Sequence, residues 1–185
     1  MSFEKSTYSP EETEKRIDRV IASLHKVKPE TDQMIRQIAL SFSELEVIKS
    51  FNQESLDFFN LVTTISKNTG REDKLKLAGY GNLFQNAIKI NVKFPIDNYT
   101  LIVLEYADQI YSENEDFFMK KKYGATGSTM VEVGNEFNIV HSDVFKELWK
   151  TLTDDDKHKI KGHVVMLTTY AHAYFYQTIF KHQKK

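Results

Sequence analysis

Four of the six histidines lie near the end of the chain, at positions 158, 163, 172 and 182. A metal site on one helical face needs ligands spaced i, i+3 or i+4. These histidines are 5, 9 and 10 residues apart, so their side chains do not converge on one ion. His163 and His172 lie close to the apolar stripe of a predicted helix, which favours hydrogen-bonded histidines in or beside the core. We therefore predict no metal site.

Two acidic clusters could hold Mg²⁺ or supply catalytic carboxylates. They are Glu113, Glu115 and Asp116, and Asp154, Asp155 and Asp156. A hard cation needs oxygens that point at one centre, whereas adjacent side chains on a helix diverge by roughly 100°. Both clusters fall in predicted first turns, where carboxylates stabilise the positive end of the helix dipole. We therefore predict that they cap helices.

Glycines cluster in Gly79-Tyr80-Gly81 and in the segment 124–129. A dinucleotide fingerprint would need a third glycine between a strand and a helix. A P-loop would need Lys directly before Ser128, where Gly127 stands instead. No Gly-x-Ser-x-Gly segment marks a nucleophile of a Ser/His/Asp triad. These segments are therefore interpreted as loops, and we predict neither a cofactor nor a catalytic residue.

Lys120, Lys121 and Lys122 form a basic run that could contact phosphate or an acidic partner. The negative end of a helix dipole also favours lysines, so a solvated helix end is the simpler interpretation. The formal net charge is −1, whereas nucleic-acid-binding domains usually carry a basic excess. Nucleic acid is therefore not expected as a partner, and the lysine contact stays open as an alternative.

The closing stretch carries many aromatic side chains. The candidates for a partner face are Tyr170, Tyr174, Phe175, Tyr176 and Phe180. Aromatic residues around a whole helix either lie within the domain or offer a surface to a partner. Both alternatives stay open, because little chain follows this helix to cover its second face.

The overall composition is that of a globular protein, with 41% hydrophobic and 28% charged residues. The absence of cysteine excludes disulfides, thiolate metal sites and a cysteine nucleophile, and fits a reducing compartment. The longest aliphatic runs have four residues, far short of a membrane span. We expect an intracellular protein with one helical domain over 1–185, a flexible N-terminus (1–8) and a frayed basic C-terminus (181–185).

Capping residues predict where helices start. Ser9 with Glu12 predicts a capping box for the first helix, and Thr153 predicts the start of the last one. Asn52 and Asp97 are predicted caps of a third helix and of a central helix. Between the first and the third helix, a second helix is predicted over roughly 31–49. Its apolar stripe includes Ile35, Ile38, Phe42 and Leu45.

Residues 88–94 alternate between apolar and polar side chains, which is typical of a half-buried strand. A possible β-hairpin near 130–140 could pair with it, although an isolated hairpin is marginal. A helix end at 88–94 is the alternative. The chain is therefore predicted to be all-α, a single bundle of about seven or eight helices, with or without this small hairpin.

Part of the sequence resembles small helical proteins of large nucleocytoplasmic DNA viruses of algae and protists. The resemblance covers roughly 94–175. The segments that carry it are Phe94-Pro95, Tyr106, Ile110, Glu115-Asp116-Phe117-Phe118, Leu148-Trp149-Lys150-Thr151-Leu152 and Asp156-Lys157. The sequence departs from that pattern at Gly162-His163. The resemblance implies a viral protein made in an infected cell, with a role in the virion or the virus factory, and it implies no catalytic residue.

These features favour a non-enzymatic interaction or structural protein that binds a protein partner, or a second copy, through an aromatic helical face. The alternative is a small enzyme or a nucleic-acid-associated accessory factor that uses surface carboxylates or lysines.

Overall fold

The computed structural model describes residues 8–70, 77–115 and 147–180, with the side chains of 77–80 and 180 outside that description. The α-helices are α1 (Pro10–Leu24), α2 (Pro29–Ser41), α3 (Glu44–Asn68), α4 (Leu77–Ile90), α5 (Phe94–Ile102), α6 (Ala107–Tyr111) and α7 (Asp154–Phe175). A 3-10 turn (Leu104–Tyr106) precedes α6, and a π-helical segment (Tyr176–Phe180) continues α7. Residues 147–149 are also helical, and none of the described residues forms a strand. The predicted all-α bundle is confirmed.

The capping residues predicted from the sequence correctly mark the starts of α1 and α7. The Ser9 hydroxyl accepts a hydrogen bond from the Glu12 amide at 3.1 Å, and Thr153 Oγ1 accepts one from the Asp156 amide at 3.2 Å. The Glu12 carboxylate does not complete the predicted box, since it pairs with Arg16 at 3.1 Å and Arg19 at 3.3 Å. Each cap satisfies backbone donors that the first turn leaves without a partner.

The single helix predicted over 31–49 is wrong. The chain breaks at Phe42 and restarts at Ser43, where a complete capping box forms. The Ser43 amide donates to Glu46 at 2.7 Å, and the Glu46 amide donates to Ser43 Oγ at 3.2 Å. The break ends the apolar stripe of the predicted helix. Phe42 and Leu45, which were expected on the buried face, are therefore exposed.

Asn52 and Asp97 do not cap helices, so both of those predictions are wrong. Asn52 lies buried inside α3, and its Nδ2 donates to the Val92 carbonyl at 3.0 Å. Helix α5 already begins at Phe94, so Asp97 lies within it and contacts the last helix. Both side chains form contacts between distant parts of the sequence instead of local caps.

Residues 88–94 are not a strand. Residues 88–90 are the last of α4, and α5 begins at Phe94 after a short turn. The helix-end alternative is therefore correct, and the strand interpretation is wrong because the alternation coincides with the end of an amphipathic helix. The hairpin expected near 130–140 lies outside the described residues.

Helix α7 lies at the centre of the bundle and packs against α2, α3, α5 and α6. Its buried apolar positions follow helical spacing and include Ile160, Val164, Leu167, Ala171 and Phe175. The same helix also brings polar side chains into this core. Within the three described ranges, no helix is long and apolar enough to cross a membrane.

Candidate functional site: polar contacts of the last helix

The second half of α7 carries several buried polar side chains. Thr168, Thr169, His172 and the following Gln177 are all buried. Buried polar groups cost free energy unless they find hydrogen-bonding partners. The partners of His172, Gln177 and the neighbouring tyrosines come from other helices of the bundle.

One group of side chains, the Asp32 cluster, joins α2, α6 and the end of α7. It consists of Asp32, Arg36, Tyr111, His172 and Tyr176. Arg36 Nε donates to Asp32 Oδ2 at 2.7 Å, and the Tyr176 hydroxyl donates to Asp32 Oδ1. The Arg36 guanidinium also lies over the Tyr176 ring, 4.4 Å from its centroid. Asp32 therefore accepts hydrogen bonds both from α2 and from the π-helical segment that follows α7.

The Asp32 carboxyl is held in its ionised form. Burial alone would raise its pKa, but the hydrogen bonds from Tyr176 and Arg36 outweigh burial and hold the pKa below its usual range. Burial and the contact with Asp32 raise the pKa of the Tyr176 hydroxyl. The proton therefore stays on Tyr176, and the contact is a charge-assisted hydrogen bond.

His172 is the most buried member of the Asp32 cluster and has no exposed surface. Its Nδ1 lies 3.1 Å from the Tyr111 hydroxyl. Burial raises the pKa of Tyr111, so this hydroxyl keeps its proton; it can donate to Nδ1 or accept from it, according to the imidazole tautomer. The other ring nitrogen, Nε2, lies 3.7 Å from Asp32 Oδ1 and makes no hydrogen bond. Burial lowers the pKa of His172 to about 4, so the ring is neutral at neutral pH.

The order hydroxyl, imidazole, carboxylate resembles that of a hydrolytic triad. A triad needs a nucleophile that a substrate can reach. His172 has no exposed surface, and the Asp32 carboxylate already accepts from Arg36 and Tyr176. The geometry therefore supports a packing role, in which the Asp32 cluster fixes the position of α7 relative to α2 and α6.

A second group, the Asp97 cluster, joins α5 to α7 beside the start of α3. It consists of Asp97, Tyr174, Lys93 and Glu44. The Tyr174 hydroxyl donates to Asp97 Oδ1 at 2.5 Å, while Lys93 Nζ pairs with Glu44 at 2.7 Å. Burial raises the pKa of Asp97 to about 6, because the opposing effects of Tyr174 and Lys93 are smaller.

The π-helical segment after α7 contacts the end of α2. Gln177 Nε2 donates to the carbonyls of Ala39 at 3.1 Å and of Phe42 at 2.7 Å. Carbonyls at a helix end have no partner within the helix, so Gln177 supplies donors that α2 lacks. Segments of π-helix are uncommon and often accompany functional positions.

The residues of the predicted aromatic face differ in their exposure. Tyr174, Phe175 and Tyr176 are buried in the core of the chain itself, and Tyr170 is half-buried. Phe180 lies in the π-helical segment, with its side chain outside the described residues. Of the two alternatives left open by the sequence, burial within the domain applies to Tyr174, Phe175 and Tyr176.

The other predicted positions are spread over the fold. Asp154, Asp155 and Asp156 lie in the first turn of α7, as expected for capping. Glu113 and Glu115 lie in the turn after α6, so the helix start expected there is wrong; Glu115 pairs with Lys161 at 3.1 Å. Asp116 and the run Lys120, Lys121 and Lys122 lie outside the described residues.

The two histidines predicted in or beside the core are both hydrogen-bonded. His163 Nδ1 lies 2.6 Å from Glu54 Oε1, and His172 contacts Tyr111. Within the described ranges, no group of three or more His, Cys, Asp or Glu side chains is arranged to hold a metal ion.

One feature that the sequence did not predict is a set of exposed apolar side chains at helix ends, here termed the apolar end. It consists of Leu40, Phe42, Leu45 and Ile90, which are 78%, 50%, 51% and 81% exposed. The Lys93–Glu44 ion pair brings the start of α3 against the turn after α4. Leu40 and Phe42 lie at the break that precedes α3, and Ile90 is the last residue of α4, so all four residues lie within a few positions of this ion pair.

The Asp32 cluster was also missed. Its only sequence signal is a matched spacing: Asp32 and Arg36 are four residues apart on α2, and His172 and Tyr176 are four apart at the end of α7. Such pairs lie on one helical face. Nothing local indicates that the two faces meet.

Comparison with known proteins gives one clear relative. An uncharacterised protein of Acanthamoeba polyphaga mimivirus is 41% identical to this chain over 181 residues, which cover 98% of each protein. No protein-family model matches the chain. No solved structure matches it either. The chain therefore belongs to the family of this mimivirus protein and is a protein of a large nucleocytoplasmic DNA virus.

Proposed function

We propose that the chain is a non-enzymatic interaction or structural protein of the virus, which binds another protein in the infected cell or in the virion. The apolar end is the binding surface. The membership in a viral family supplies the setting, and the distribution of polar and apolar side chains supports the type of function.

The buried polar side chains of α7 support a non-enzymatic role. Tyr176 and Tyr174 are bound to Asp32 and Asp97, and Gln177 is bound to the end of α2. Catalytic groups must reach a substrate, at least through a cleft. These side chains instead connect helices of the same bundle, and their interactions stabilise the fold.

The apolar end is the observation that carries the proposal. Leu40 and Ile90 are each more than three-quarters exposed, at 78% and 81%. Single exposed apolar residues are common, but several that lie together mark contact sites for other proteins. Burying a leucine or isoleucine side chain contributes about 1.5–3 kcal/mol. Four such side chains could therefore anchor a stable complex.

The partner surface thus differs from the aromatic face that the sequence suggested. Tyr174, Phe175 and Tyr176 already pack inside the chain, so in this conformation they cannot contact another protein. Tyr170 is half-buried and keeps some accessible surface. We therefore place the partner at the apolar end and assign the aromatic residues to the core.

Affinity purification of the tagged chain from infected cells, with identification of the proteins recovered, tests this proposal. We expect one protein to be recovered reproducibly after washes at high salt, because apolar contacts are not screened by ions. Light scattering on the purified chain shows separately whether the partner is a second copy. The absence of any reproducible partner, together with a strictly monomeric chain, would overturn the proposal.

A further inference from the structure

The outer face of α2 is uncharged from Gln33 to the end of the helix. It consists of five exposed residues: Gln33, Met34, Gln37, Leu40 and Ser41. Arg36, the other exposed residue of this stretch, lies at the edge of the face, where it pairs with Asp32 and lies over the Tyr176 ring. The exposed side of α1, by contrast, carries Glu11, Glu14, Lys15 and Asp18. A face without charges is typical of the centre of a protein–protein interface.

The five residues of this face are arranged symmetrically about Gln37. Met34 and Leu40 lie three positions before and after it, and Gln33 and Ser41 lie four positions before and after it. Residues three or four positions apart share one side of a helix. The order along the face is therefore polar, apolar, glutamine, apolar, polar in both directions.

We propose that this face of α2 binds a second copy of the chain, with the two helices antiparallel and related by a two-fold axis at Gln37. The inference rests on the proposed function, because it names the protein that is bound beside the apolar end. A two-fold axis brings the same patch of both copies together. Met34 of one copy then lies opposite Leu40 of the other, and Gln33 lies opposite Ser41. Apolar side chains thus meet apolar ones, and polar side chains meet polar ones.

Gln37 suits the position on the axis because its amide group both donates and accepts hydrogen bonds. Each copy can therefore donate from its NH2 group to the amide oxygen of the other. A charged residue at this position would instead lie opposite its own charge. Interfaces between different proteins are commonly matched by complementary charges, and this face of α2 offers none.

The ends of α2 favour the antiparallel arrangement. Antiparallel neighbours place the positive end of one helix dipole beside the negative end of the other. The arrangement also separates the exposed Lys26 and Lys28, which precede α2, from their counterparts in the second copy. Glu30 then lies opposite Glu44, whose charge is balanced by Lys93 at 2.7 Å.

The size of this surface predicts a weak dimer. A helix of 13 residues is about 20 Å long, and a stable interface buries about 800 Å² on each partner. The exposed Phe42, Leu45 and Ile90 beyond the end of α2 add to the apolar area. Because one helix face covers less than a standard interface, we expect a dissociation constant of about 10–100 µM.

Sedimentation equilibrium of the full chain between about 1 and 500 µM tests the dimer. The average mass should rise from that of one chain toward twice that value. Gln37→Glu and Gln37→Lys each place like charges at the axis, so each variant alone should associate about tenfold more weakly or less. An equal mixture of the two should recover association, because opposite charges then meet. Asn60→Glu, at an exposed position of α3, is the control and should associate like the wild type.

Glutamine, glutamate and lysine have similar helix propensities, so these exposed substitutions should leave the fold unchanged. A chain that stays monomeric at about 500 µM overturns the inference. A dimer that is unaffected by both Gln37 variants overturns it as well. If the pure chain is monomeric but a different protein is recovered from infected cells, the second copy is excluded and the proposed function stands. If neither a dimer nor another partner is found, both fail.

Discussion

Tyr176 donates its hydroxyl hydrogen to the carboxylate of Asp32 across 144 positions of the sequence. The contact closes the bundle, because it joins the second helix to the last one near the end of the chain. Arg36 strengthens it by donating to the other oxygen of Asp32 at 2.7 Å and by lying over the Tyr176 ring. This three-residue contact joins the segment after α7 to α2.

Tyr176→Phe tests that dependence. The substitution removes the hydroxyl and leaves Asp32 with Arg36 alone, while the ring can still pack. Hydrogen bonds to charged groups contribute about 1.5–3 kcal/mol, so the free energy of unfolding should fall by about 2 kcal/mol. Urea denaturation measures the change. Tyr170→Phe is the matched control on the half-buried face of α7, with an expected change within about 0.5 kcal/mol. Equal losses in the two variants would contradict the role of the Asp32 contact.

His172 should make the chain less stable in acid. Unfolded His172 takes up a proton near pH 6.5, whereas the folded ring stays neutral down to about pH 4. The unfolded state therefore binds more protons between these values, and stability falls as the pH falls. His172→Asn keeps a polar side chain that can hydrogen-bond to Tyr111 and removes this titration.

The measurement is the free energy of unfolding of both proteins at about pH 7 and about pH 4.5. The wild type should lose about 2 kcal/mol relative to His172→Asn over this interval. Asp32 and Asp97 titrate in both the wild type and His172→Asn, so their contributions largely cancel in the difference between the two free energies of unfolding. A difference that does not change with pH would show that His172 is not held neutral by the fold.

Ser43→Ala tests the break between α2 and α3. The variant loses the acceptor of the Glu46 amide at 3.2 Å, and the loss of such a cap costs about 1 kcal/mol. The end of α2 should also exchange its amide hydrogens faster, because the corner is less well fixed. Thermal unfolding checks the stability, with Ser41→Ala at the last position of α2 as control. If Ser41→Ala has the larger effect, the capping interpretation is incorrect.

The helix ends that the sequence predicted correctly are those set by neighbouring residues. Ser9 and Thr153 cap helices whose donors lie three residues away, and such signals do not depend on the rest of the fold. The apolar spacing of α7 likewise identified its buried side. Helix starts and periodicity were therefore predictable where the contacts are local.

The remaining features depend on contacts between distant residues. Asp97 and Asn52 have the chemistry of helix caps, yet their partners are Tyr174 and Val92, which lie 77 and 40 positions away. Single-sequence patterns contain no information on such pairs. The apolar end was missed for a related reason. The spacing of Phe42 and Leu45 predicted one buried stripe on a single helix, whereas the capping box at Ser43 divides that helix in two.

The most direct test of the proposed function compares partner recovery by surface variants from infected cells. The double variant Leu40→Ser with Ile90→Ser removes the two most exposed side chains of the apolar end. Leu83→Ser is the control, since Leu83 is also exposed, at 45%, but lies nearer the middle of α4. Unfolding curves should confirm that all three proteins remain folded.

Loss of contact residues in the centre of an interface reduces binding by about tenfold or more. We predict that the double variant recovers about tenfold less of the partner protein than the wild type, while Leu83→Ser recovers the wild-type amount. Equal recovery by the double variant and the wild type would contradict the assignment of the apolar end as the binding surface.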